Sequence, residues 1–209
     1  VRILLAAAVL VPIALVQLRG RWLLLLRNLR LVAGYGLVAV AGCQLAYFNA
    51  VAHMQVGVAL LIEYTAPVAV VGWLWLRRGE RPTRLTIVGA ALGVVGLLLV
   101  VDLAGGTTSL VGVLWSLVAM VGGAFYFLLS SRDVDGLPGT ALAAGGLLVG
   151  GLLLLGAGMT GLVPLTASVA PVAYDGFTVA WWVPITVLGV VTAAAAYGCG
   201  IAATRRLGA

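Results

Sequence analysis

Charge is scarce in this chain. Only 9% of its 209 residues are Asp, Glu, Lys or Arg, against about 25% in ordinary soluble domains. Lysine is absent, so all twelve basic residues are arginine, beside six acids and one histidine. Two cysteines, Cys43 and Cys199, are too few for a disulfide framework and show no CxxC spacing. Both sit in apolar sequence and read as small apolar residues. His53 has no partner at ligand spacing, which argues against a metal site. No HExxH, GxSxG, paired-aspartate metal motif or P-loop occurs, so neither an enzyme nor a cofactor has residues to stand on. With 63% hydrophobic residues, a water-soluble globule is excluded, and so is a disordered chain.

What the chain does have is long apolar runs. A helix needs about 20 mostly apolar residues to cross a bilayer. Candidate spans fall at 3–18, 31–50, 55–76, 85–101, 110–130, 140–158 and 180–203. They predict an all-α polytopic membrane protein with seven transmembrane helices and the lipid bilayer as its solvent. The first run is short and lacks the features of a cleaved signal. The abrupt ends at Val1 and Ala209 suggest truncation on both sides.

The net charge of +6 could suggest nucleic acid, but the arginines cluster in short loops. Arg19, Arg21, Arg27 and Arg30 follow the first run, and Arg77, Arg78, Arg81 and Arg84 follow the third. Arg132 follows the fifth, and Arg205 and Arg206 follow the seventh. Only Arg2 falls on the other side, with Asp102 and Asp175. Basic residues collect in cytoplasmic loops. Loops 19–30, 77–84, 132–138 and the C-terminal end are therefore expected in the cytoplasm, and no nucleic-acid partner is expected. The stretch from Arg21 to Arg30 reads as interfacial, with Trp22 at headgroup depth. The stretch 159–179, with Pro164 and Pro171, reads as an external, partly interfacial loop.

Gly89 and Gly93, and Gly146 and Gly150, repeat at a spacing that lets helices approach closely in lipid. Packing within the chain is one use of such pairs, and a homodimer face is the other.

Glu63 is the one ionisable residue deep in a span. It lies about eight residues in, near mid-bilayer at about 1.5 Å per residue. An acid there costs on the order of 2.5–3.5 kcal/mol on insertion scales. Pro67 follows four residues later, and its ring clashes with the carbonyl of residue i−4, which is that of Glu63. An acid beside a helix bend resembles the way transporters build midplane sites. A protonated or hydrogen-bonded acid that only locks packing is the plainer alternative.

Two helical stripes accompany it: Gly36, Val40, Gln44 and Tyr47, then Trp115, Ala119, Gly122 and Tyr126. Polar groups in lipid need partners, so these faces are expected to point inward. Gln44, Tyr47, Tyr64, Trp115 and Tyr126 are the candidate cavity residues, although such stripes also serve packing. Thr192 and Tyr197 are weaker candidates. Asn49, His53, Trp181 and Trp182 read as boundary anchors.

The run from Ala52 to Val101 resembles the EamA family of the drug/metabolite transporter superfamily. The likeness rests on the small-residue helix start at Val56–Gly57 and the EYTAP segment at Glu63–Pro67. The turn Gly79–Pro82 and the glycine-spaced helix from Gly89 add to it. The resemblance implies ten helices in two inverted five-helix repeats. On that map residues 1–104 would hold helices two to five, and 105–209 would hold helices six to eight. It implies export of small metabolites, often amino acids, across the inner membrane by alternating access around a midplane cavity. Many relatives carry a non-acidic residue where Glu63 stands, so the role of Glu63 rests on the physical argument. A non-transporting membrane scaffold or assembly partner is the alternative.

Overall fold

The computed structural model describes residues 2–79, 81–103, 109–131, 136–161, 172–174 and 177–207. Helix occupies most of every stretch read above as a span, with a break at Tyr64 and Thr65 inside 55–76. The helices are α1 (Arg2–Leu18), α2 (Leu23–Arg27), α3 (Leu29–Val51), α4 (Val56–Glu63) and α5 (Ala66–Arg78), then α6 (Arg84–Leu103), α7 (Leu110–Ser130) and α8 (Gly139–Met159), and last α9 (182–207). Among the described residues, four helical stretches are long and apolar enough to cross a membrane: Leu29–Val51, Val56–Arg78, Leu110–Ser130 and Gly139–Met159. Arg2–Leu18, Arg84–Leu99 and Trp182–Val191 are apolar but shorter.

Local chemistry explains several boundaries. α5 closes on Gly79, whose φ of 69° needs a left-handed residue, and the Gly79 amide bonds the Trp75 carbonyl at 3.0 Å. Arg77 and Arg78 occupy its last turn, where cations oppose the helix dipole favourably. The Arg77 guanidinium lies 5.0 Å from the Trp73 ring centroid, a cation–π contact. The short α2 carries exposed leucines beside Trp22, which is 49% exposed, as an interfacial segment would.

Within 159–179, an antiparallel pair of short strands, β1 (Val172–Tyr174) and β2 (Phe177–Val179), stands where only loop was expected. Pro164, Pro171 and Asp175 of that stretch lie outside the described residues. So do Glu80 and Arg132.

The chain divides into two compact units, Val1–Ala41 with Leu129–Ala209, and Gly42–Leu128. In the first, α1 packs along α8 and α9, and α8 also meets the start of α3. The packing is glycine-mediated. α3 carries a π-helical stretch at Tyr35–Gly42, and this widened turn lies against the glycines of α8. A methyl group on Gly150 would meet Val40 Cγ1 at 2.6 Å and the Gly36 carbonyl at 2.8 Å, and one on Gly146 would strike the Tyr35 ring. Gly146 and Gly150 thus serve packing within the chain. Gly36 and Val40, read above as part of an inward polar stripe, are the other half of that packing.

In the second unit, Ala50, Met54, Val58, Ala59 and Ile62 form a core with Tyr47, Val51, Leu97 and Val113 packed on it. Cys43, Ala46 and Ala119 form a smaller cluster, again with Tyr47. α6 is the least covered element. Leu85, Leu92 and Leu98 are 83%, 67% and 63% exposed, a burial pattern inverted relative to water-soluble proteins.

Candidate functional site

Glu63 ends α4. The helix then breaks at Tyr64 and Thr65, both with ψ near 0° (−3° and −1°), and restarts at Ala66. The break refines the expectation of a bend at Pro67. Pro67 sits in the first turn of α5, where a helix has no use for its missing N–H. It therefore suits a fresh helix start at Ala66, one residue before it. The turn satisfies its own backbone: the Thr65 amide and hydroxyl both donate to the Ile62 carbonyl, at 3.1 and 2.6 Å. The Thr65 hydroxyl also lies 3.1 Å from Met120 Sδ on α7.

The break holds Glu63 partly buried and next to α3. The Cys43 thiol donates to Glu63 Oε1 at 3.3 Å, and its sulfur is also 3.5 Å from the Ala119 carbonyl oxygen on α7. Cys43 itself is 7% exposed. One buried thiol therefore joins three helices around one carboxyl group. A carboxylate accepts hydrogen bonds and pairs with cations, and a thiol is a weak donor. The site can hold a proton or a cationic group. Among the described residues no three His, Cys, Asp or Glu side chains gather.

The other predicted residues scatter around this centre. Tyr47 is a packing residue of both clusters, ringed at 5.7 Å by Phe48. Tyr64 is 70% exposed and Trp115 is 38% exposed. Gln44 is partly buried, one residue beyond Cys43, and Tyr126 is partly buried, edge-on to Phe127 at 5.1 Å. On α7 the buried positions include Gly112, Ser116, Ala119 and Gly122. Of the predicted stripe, Ala119 and Gly122 lie on this buried face, Tyr126 is partly buried, and Ser116 is buried where Trp115 is exposed. Ser116 reaches Met54 Sδ at 3.7 Å. His53 Nδ1 lies 2.8 Å from the Asn49 carbonyl and is exposed. The side chains of Thr192 and Tyr197 lie outside the described residues.

Cys43 corrects the reading of it as a merely apolar residue. The sequence carried a signal: 36, 40, 43 and 47 keep helical spacing as well as 36, 40, 44 and 47 do. Thr65, Ser116 and Met120 had no comparable pattern.

Apolar helices with a carboxyl group held between them define a multi-pass helical membrane protein with a polar site in its interior. The sequence comparison identifies it further. Residues 1–102 match the EamA-like transporter family. Over those residues the sequence is of the EamA type, a family of membrane transporters in the drug/metabolite superfamily. No curated protein and no solved structure gives a significant match.

Proposed function

We propose that the protein moves small metabolites bearing a cationic group, such as amino acids and related amines, across the inner membrane. Alternating access around a midplane cavity is the mechanism, with the EamA-type repeats 1–104 and 105–209 as the rocking parts. The arginine-rich loops lie in the cytoplasm, and export is the direction. Glu63 pairs with the cationic group or exchanges it for a proton. Gln44, Tyr47, Tyr64, Trp115 and Tyr126 border the path, and Pro67 keeps the helix open beside the acid.

The observation that carries this reading is the position of Glu63. It sits in an apolar helix, at a break, and is held by a donor on another helix. A carboxyl group is costly in hydrocarbon, and packing alone would be served as well by an apolar residue. Glu63→Gln keeps the size and removes the charge. In cells expressing the full-length gene, mass-spectrometric profiling of the medium should show export down about tenfold, or about 1.4 kcal/mol, at unchanged protein level. Export unchanged in the Gln variant would remove Glu63 from the mechanism.

A further inference from the structure

The geometry points to Cys43 as a positioning residue that switches its one thiol proton between Glu63 and α7. This inference builds on the proposed transport role of Glu63, but its first test does not depend on transport. A thiol carries a single hydrogen. Cys43 has two acceptors in reach, Glu63 Oε1 at 3.3 Å and the Ala119 carbonyl at 3.5 Å. It cannot serve both at full strength.

The charge on Glu63 decides between them. Hydrogen bonds to an ionised acceptor are roughly twice as strong as neutral ones, so an ionised Glu63 draws the thiol proton to itself. When a proton or a cationic group neutralises Glu63, that advantage is gone and the S–H turns to the Ala119 carbonyl. The proton stays on sulfur throughout and only the S–H bond rotates. Occupancy of the carboxyl group is thereby passed from α4 to the backbone of α7. The surroundings hold this arrangement in place. Cys43 packs with Ala46 and Ala119, which leave the sulfur little room to leave its two acceptors. The Thr65–Met120 contact ties the same stretches of α4–α5 and α7 a second time.

The S–H stretching band in the infrared reads the thiol's partner directly. In the full-length protein with Cys199→Ala, reconstituted in phosphatidylcholine vesicles, Cys43 supplies the band of interest. Cys43→Ala in the same background identifies it by difference. The expected result is a band lowered in frequency by the carboxylate and shifted upward in Glu63→Gln. An identical band with and without the Glu63 charge overturns the switch. Transport then tests the consequence. Cys43→Ala should raise the half-saturation concentration for export several-fold with little change in maximal rate, and Cys43→Ser, which restores a donor, should recover most of the loss. Equal export in all three proteins overturns the positioning role. A band that responds to Glu63 in a protein without export would retain the switch and refute only the transport reading.

Discussion

At the scale of single residues, the same residue type does different work according to what it meets. Gly150 on α8 faces Val40 and the Gly36 carbonyl at under 3 Å from any added methyl group, whereas Gly93 on α6 has nothing within 4 Å. Overpacking a tight contact costs about 1–3 kcal/mol, and an exposed helical glycine gains from alanine through propensity. Gly150→Ala should therefore lower the thermal unfolding midpoint in detergent, and Gly93→Ala should leave it equal or higher. A loss at Gly93 matching that at Gly150 would mean that a second copy covers α6. The sequence made both pairs equally visible and could not rank them, because a four-residue spacing specifies a surface and not its partner. Glu63 was legible for the opposite reason. Its cost in hydrocarbon is intrinsic to the side chain, so no neighbour had to be known. Cys43 was not, since its thiol matters only through an acid twenty residues further along the chain.

At the scale of elements, helical spans were read within a few residues from apolar run length alone, while their interruptions were not. The π-helical stretch Tyr35–Gly42 has no sequence mark beyond its glycines. Of the stripe read on α7, Ala119 and Gly122 are buried while Trp115 is exposed, and the small residues Gly112 and Ser116 complete the buried face. Pro67, read as the source of a bend, stands in the first turn of α5, and the chain breaks at Tyr64 and Thr65 just before it. That difference has a consequence. Pro67→Ala supplies the N–H that the ladder lacks at residue 67 and allows α4 and α5 to fuse across Tyr64 and Thr65. Spin labels at the exposed positions Val56 and Trp75 report on this. A continuous helix would set their separation near 28 Å, from about 1.5 Å for each of about 19 residues. Pulsed spin-resonance distances in the Pro67→Ala protein should narrow toward that value, while the native sequence departs from it. Identical distributions would show that Thr65, through its bonds to Ile62 and Met120, sets the break without proline.

At the scale of the whole molecule, the proposed orientation rests on the distribution of arginine and on no packed contact. The junction of α5 and α6 carries Arg77, Arg78, Arg81 and Arg84, all exposed, and the stretch after α1 carries Arg19, Arg21, Arg27 and Arg30. Moving such turns across a bilayer would cost several kcal/mol, because each centrally placed arginine costs about 2.5–3.5 kcal/mol on insertion scales. The proposed cytoplasmic placement of both stretches requires an even number of crossings between residues 30 and 77. Leu29–Val51 and Val56–Arg78 supply two. The exposed Arg81 position is suited to the test, because a cysteine there disturbs neither the Gly79 cap nor the Arg77–Trp73 contact. With Cys199→Ala and the buried Cys43 retained, Arg81→Cys should resist a membrane-impermeant maleimide added to intact cells and react once the vesicles are inverted. A second cysteine at Gln55, exposed between the two spans, should show the reverse pattern. Labelling of position 81 from outside would invert the orientation, and labelling of both positions from one side would deny that Val56–Arg78 crosses at all. That last result would leave Glu63 in no membrane interior, and its charge would then need no transport role to explain it.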